Sequence, residues 1–289
     1  MDDEFSLLED NATEASLPWD GRPAVDRRDV TLPDGRILSA IVWGDTAAEM
    51  VLLHGGAQNA HTWDTVALAL GRPLLAIDLP GHGHSSWRDD GRYTPAEMAA
   101  DVAFAIDALA PSAQTIVGMS LGGLTAIALA ARHPVGNVVL VDVTPGVNSA
   151  KAAAVVAFVS GPPTFESFQA LLDRTIEHNP TRSESSLRRG LLHNALPLPD
   201  GSWAWRHHLG RGGASGPREV EFAGLWDDVS AITAPLLLVR GANSPVVDDD
   251  DVAELRRRQP SVRVEVVDGA GHSIQGDRPV ELAAILSTF

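Results

Sequence analysis

Two hydrophobic rhythms alternate along the chain. MVLLHGG (50–56), PLLAIDLPG (73–81), QTIVGMS (114–120), VGNVVLVDVTPG (135–146), APLLLVRG (234–241) and VRVEVVDG (262–269) are short, nearly continuous apolar runs. Runs of that length suit strands buried on both faces of a parallel sheet. ILSAIVW (37–43), after the turn Pro33-Asp34-Gly35, reads as half of a hairpin. Between these runs lie segments with helical spacing at about 61–70, 94–110, 121–133, 249–259 and 278–288. Thr94 and Pro95 supply the N-cap and first turn of the second segment. The alternation predicts an α/β fold of βαβ units around a mostly parallel sheet.

Two stretches break the pattern. Residues 147–226 read as several helices joined by loops rich in Pro, Gly, Ser and His, too long an excursion to be one loop. They are expected to form a helical cap, with 25–146 and 227–289 as the core. Residues 1–20 hold seven acids and no Lys or Arg, so −7 of the net −16 lies there. Residues 1–24 are therefore read as an acidic, flexible leader.

That charge, with a pI near 4.9, argues against nucleic acid as a partner. With no cysteine, disulfides, thiolate metal sites and a Cys nucleophile are excluded. No apolar run is long enough for a membrane span, and MDDEFSLLED lacks the basic start of a signal peptide. The expectation is a cytoplasmic monomer or homodimer that meets a small-molecule substrate and no membrane.

Gly118-Met119-Ser120-Leu121-Gly122 matches G-x-S-x-G. This motif needs a strained turn that lifts the serine hydroxyl clear of the backbone, with small neighbours so the turn can pack. Here it closes an apolar strand and opens an Ala-rich helix, so Ser120 is the candidate nucleophile. An oxyanion hole needs one backbone donor after the nucleophile and one from an adjacent loop. Leu121 and Gly56, in His54-Gly55-Gly56, are the candidates; the His54 side chain reads as structural. His272, in the Gly-flanked loop after the last strand, is the candidate base.

With these pieces in place the chain resembles the α/β-hydrolase superfamily, in a serine-nucleophile, esterase- or lactonase-like branch. HGGAQNAHTW (54–63), IDLPGHGHS (77–85), GMSLGG (118–123), LVDVTPG (140–146), LLLVRGANS (236–244) and DGAGHSIQGDRP (268–279) carry the resemblance over residues 28–289. It implies an eight-stranded sheet flanked by helices, a cap inserted after the sixth strand, and no cofactor or metal. One position departs from the commonest pattern: where most relatives place the triad acid, three residues after Gly241, this chain has Ser244. Asp142, matching an alternative position for the acid in the superfamily, is preferred to the run Asp248 to Asp251, which reads as the acidic start of a helix.

The implied reaction is acyl transfer through Ser120, cleaving a small, uncharged or weakly polar ester or lactone. Trp63, Met119 and Trp205, with Trp203, are candidates to wall the pocket. Because Lys151 is the only lysine, anion recognition would fall to an arginine such as Arg206. C–C bond hydrolysis, cofactor-free oxygenation and a non-enzymatic ligand-binding role are the alternatives on the same scaffold.

Overall fold

A computed structural model describes residues 3–148, 150–159, 161–208, 222 and 224–289. Eight strands form the central sheet: β1 (Val25–Thr31), β2 (Ile37–Trp43), β3 (Met50–Leu53), β4 (Leu74–Ile77), β5 (Thr115–Met119), β6 (Asn137–Val141), β10 (Leu236–Gly241) and β11 (Arg263–Val267). Their order is β1-β2-β4-β3-β5-β6-β10-β11. Only the pairings of β2 with β1 and with β4 are antiparallel.

The apolar runs of β3, β4 and β5 are buried at every position because helices cover both faces. Pleating still sorts them. Val51 and Leu53 pack toward α3 (Pro95–Leu109) and α4 (Leu121–Ala130), while Met50 and Leu52 face α2 (Asp64–Leu70) and α11 (Pro279–Leu286). Helices α8 (Leu225–Ala231) and α9 (Asp249–Arg258) complete the first layer. No helix among the described residues is long and apolar enough to cross a membrane.

The N-terminal segment departs from the sequence reading. Residues 3–24 are not a solvated leader. Helix α1 (Leu8–Glu14) docks on the core: Ala12 is buried, and Phe5 and Leu8 are buried in the cluster that holds Trp63 and Val66. The acids are divided by the same amphipathic geometry. Glu9 and Asp10 face solvent, whereas Glu4 accepts hydrogen bonds from Arg27 and His61.

The described residues between β6 and α8 form a body with its own apolar cluster, including Leu171, Leu172, Leu187, Leu191 and Trp205. Among them the helices are α5 (Ala153–Val159), α6 (Phe168–His178) and α7 (Glu184–Asn194). The sequence reading of helices and loops missed a three-stranded antiparallel sheet here, β7 (Thr164–Phe165), β9 (Trp203–Trp205) and β8 (Ala195–Pro197). Strands of two or three residues are too short to show a period. The end of the expected cap falls partly outside the described residues.

Candidate active site

Ser120 joins β5 to α4 with φ 50° and ψ −117°, a left-handed conformation that a non-glycine residue adopts only under constraint. The flanking glycines supply that constraint. A Cβ at Gly118 would lie 2.3 Å from the Gly122 carbonyl oxygen, and one at Gly122 would lie 2.3 Å from the Leu53 oxygen. Gly123 is similarly closed off, by Val143 Cγ1 at 2.4 Å. The G-x-S-x-G spacing is thus what lets this helix start against β3 and β5.

The loop after β3 lies alongside. A Cβ at Gly55 would sit 3.3 Å from Ser120 Cβ, and one at Gly56 would sit 3.9 Å from Leu121 Cδ2. Gly56 N–H has no acceptor among the described residues. Leu121, as the first residue of α4, has an N–H with no intrahelical partner.

This loop is held from several sides. His54 is buried, receives the Leu79 N–H on Nε2 at 2.9 Å and donates from Nδ1 to the Gly55 carbonyl at 2.7 Å. That bonding fixes a neutral ring, and burial pushes its pKa down. His82 does the same one turn further: its Nε2 accepts the Ala57 N–H at 3.1 Å, and burial holds it well below the usual histidine range. Ala57 itself has φ 60°. Its carbonyl accepts a 2.6 Å hydrogen bond from Nδ2 of Asn194, at the end of α7. Buried Asp78 receives the Ala60 N–H at 2.7 Å and Arg27 Nη1 at 2.8 Å.

His272 Nδ1 lies 2.7 Å from Asp142 Oδ2. Asp142, fully buried at the end of β6 with φ 52°, also accepts the Gly241 N–H on Oδ1 at 3.0 Å and the Ser244 hydroxyl on Oδ2. The His272 loop closes over β10: a Cβ at Gly241 would lie 2.2 Å from the Gly271 oxygen. Asp277 Oδ2 fixes the Gly271 N–H at 2.8 Å. The run Asp248–Asp251 serves elsewhere. Asp248 and Asp251 form the capping box of α9 and both pair with Lys151.

Ser120, His272, Gly56, Met119 and Trp205 line one cavity of about 720 Å³. The structure thus brings these sequence-derived candidates together and sets Asp142 behind His272. Trp63 is corrected: it is fully buried between α2 and the sheet, among Ile41, Ala60 and Val66, and does not line the cavity. Its ring sits at the end of a 3₁₀ turn (Ala60–Trp63) whose register turns it inward. Trp203 and Arg206 line a separate, smaller pocket with Glu4 and His84. Sequence reasoning missed the role of Ser244, read only as a missing acid, and those of His82 and Asn194, whose partners are distant in the chain.

A catalytic-type serine, histidine and carboxylate at the strand ends of a mostly parallel, helix-covered sheet define the class. The chain belongs to the alpha/beta hydrolase family, whose model matches residues 50–285, and it is an enzyme of the hydrolase class. It is 48% identical over 98% of its length to Esterase Rv0045c of Mycobacterium tuberculosis, covering 94% of that protein. A solved structure of that esterase superposes with a TM-score of 0.88, spanning 99% of this chain and 98% of the other. More distant is the sn-1-specific diacylglycerol lipase ABHD11 of Xenopus laevis, 30% identical over 83% of this chain and 78% of its own.

Proposed function

We propose that the enzyme cleaves a small carboxylic ester or lactone through an acyl-enzyme formed on Ser120. The observation that carries this reading is the His272 Nδ1–Asp142 Oδ2 contact at 2.7 Å, beside a cavity into which the Ser120 turn also opens. The Nδ1–H of His272 donates a hydrogen bond to Asp142 Oδ2, which fixes the tautomer and leaves Nε2 as the base. His272 takes the proton from Ser120 Oγ as that oxygen attacks the carbonyl carbon. The oxyanion is held by the N–H groups of Gly56 and Leu121, aided by the N-terminal end of α4. Collapse of the tetrahedral species breaks the ester bond, and His272 hands its proton to the leaving alcohol oxygen. Water, deprotonated by the same ring, then attacks the acyl carbon, and Ser120 leaves with the returned proton. Nothing in this sequence of steps calls for a cofactor.

The relatives' esterase and lipase names support the ester over the C–C bond as the target. The test pairs p-nitrophenyl esters of graded chain length with a fluorophosphonate label. Wild type should turn over short esters and be labelled at Ser120, and Ser120→Ala should lose both while its circular dichroism is unchanged. An active Ser120→Ala enzyme overturns the assignment, and labelling without ester turnover redirects it to C–C bond cleavage.

A further inference from the structure

We infer that Arg182 is a carboxylate-binding group of the catalytic cavity, so that the ester cleaved there carries an anionic carboxylate away from the scissile bond. The inference rests on the assignment of Ser120 and His272 to ester cleavage and names the class of substrate.

Four Lys and Arg side chains line the cavity: Lys151, Arg182, Arg189 and Arg278. Lys151 is committed to Asp248 and Asp251, at 2.8 and 2.7 Å. Arg189 is committed to Glu14 and to Asn11. Arg278 is exposed, so water solvates it. Arg182 differs from all three. Nη2 donates to Ser186 Oγ at 2.7 Å, and no carboxylate among the described residues comes within ion-pair distance. Its Nε is buried and meets no acceptor.

A guanidinium offers five N–H donors, so a single recorded bond leaves most of them unmatched. The cost of this is visible. Burial lowers the pKa of Arg182, opposed only through space by Asp277 and Glu14. Both of those carboxylates are engaged elsewhere, Asp277 by the Gly271 N–H and Glu14 by Arg189, Ser183 and Ser185. Arg182 is only partly buried, but its sheltered Nε lacks an acceptor and the group has no contacting counter-ion among the described residues. An entering anion would relieve that deficit, and a planar fork suits a carboxylate.

Placement ties the group to the reaction. The Arg182 guanidinium lies over Gly276, where a Cβ would sit 2.9 Å from Cζ. Gly276 belongs to α10 (Ile274–Asp277), the turn that follows His272. A ligand touching Arg182 therefore shares the cavity with the reacting serine and histidine. This replaces the sequence reading of an uncharged or weakly polar substrate: the apolar walls of Met119, Phe158, Leu187 and Val246 take the chain, and Arg182 takes its charged end.

The experiment compares p-nitrophenyl esters in matched pairs, butyrate with hemisuccinate, valerate with hemiglutarate and hexanoate with hemiadipate. Each pair replaces a terminal methyl by a carboxylate. In wild type, kcat/KM at the best chain length should favour the acid at least tenfold. That anionic-to-neutral ratio should fall at least tenfold in Arg182→Gln and be partly retained in Arg182→Lys. If Arg182→Gln does not fold, Gly276→Ala, whose methyl displaces the guanidinium, must lower the same ratio. A wild type that favours the neutral ester at every length, or a ratio unchanged by the substitution, overturns the inference while leaving Ser120 chemistry standing. Failure to cleave any of the six esters, with no label on Ser120, overturns the ester reading itself.

Discussion

The Ser244 hydroxyl donates to Oδ2 of Asp142, the same oxygen that faces Nδ1 of His272. A serine thus stands at the position the superfamily resemblance would give to the acid, and it donates to the carboxylate proposed for that role.

Removing that donor leaves a buried carboxylate with one fewer partner. Ser244→Ala is expected to lower kcat by about tenfold, the scale of one hydrogen bond to a charged group. KM should hold, because Ser244 does not line the cavity. Asp142→Asn should cost far more, about 10⁴ in kcat, since it favours the wrong tautomer of His272. Steady-state kinetics on a neutral p-nitrophenyl ester separates the two; equal losses would deny Asp142 its role.

His61 links the N-terminal segment to the core with a titratable group. Burial alone would lower its pKa, but Asp64 and Glu4 at 2.9 and 2.8 Å outweigh that and raise it to about 9. Asp64 is pushed upward by its own burial, so the half-exposed Glu4, held far below the carboxylate range by His61 and Arg27, is the firmer anion of the pair. The folded pKa exceeds the ordinary 6.5, so this stabilisation is complete below pH 6.5 and is lost as pH rises through 9. It amounts to on the order of 3 kcal/mol. His61→Gln should therefore melt well below wild type at pH 6, with the gap closing by pH 10. A gap that is constant with pH would contradict the ion-pair account.

Helix α1 should behave as part of the core. Leu8→Ala, at a site 1% exposed, is expected to destabilise by about 2–5 kcal/mol, and exposed Glu9→Ala by less than about 0.5. Chemical denaturation measures both. Similar small effects would restore the picture of a loose leader.

Two glycine substitutions should differ in sign. Gly122→Ala drives a methyl into the Leu53 carbonyl and is expected to yield little folded protein. Gly190→Ala, on an exposed turn of α7 with nothing within 4 Å, should stabilise by about 0.5–1 kcal/mol. Melting temperatures of the soluble variants decide it.

The parts of the site that could be read from sequence are those whose chemistry is local. The Ser120 turn, the Gly55-Gly56 loop and the His272 loop each announce themselves through glycines that a close backbone approach demands. Asp142 stands out in the sequence as a partner for His272 only because Ser244 cannot serve as an acid. Trp63 misled because an aromatic beside a site motif looks the same whether its ring faces a pocket or a sheet. The N-terminal helix misled for another reason. Its acids dominate the composition, yet Phe5, Leu8 and Ala12 sit three and then four residues apart, the spacing of one helical face. Arg182 left no sequence signal, since what distinguishes it is the partner it lacks.

The Asn194 amide reaches from the end of α7 to the carbonyl of Ala57, one residue beyond Gly56. One amide thus ties the inserted body to the loop after β3, so that losing the Asn194 side chain would leave the Ala57 carbonyl, and the peptide next to the proposed oxyanion donor, without this anchor.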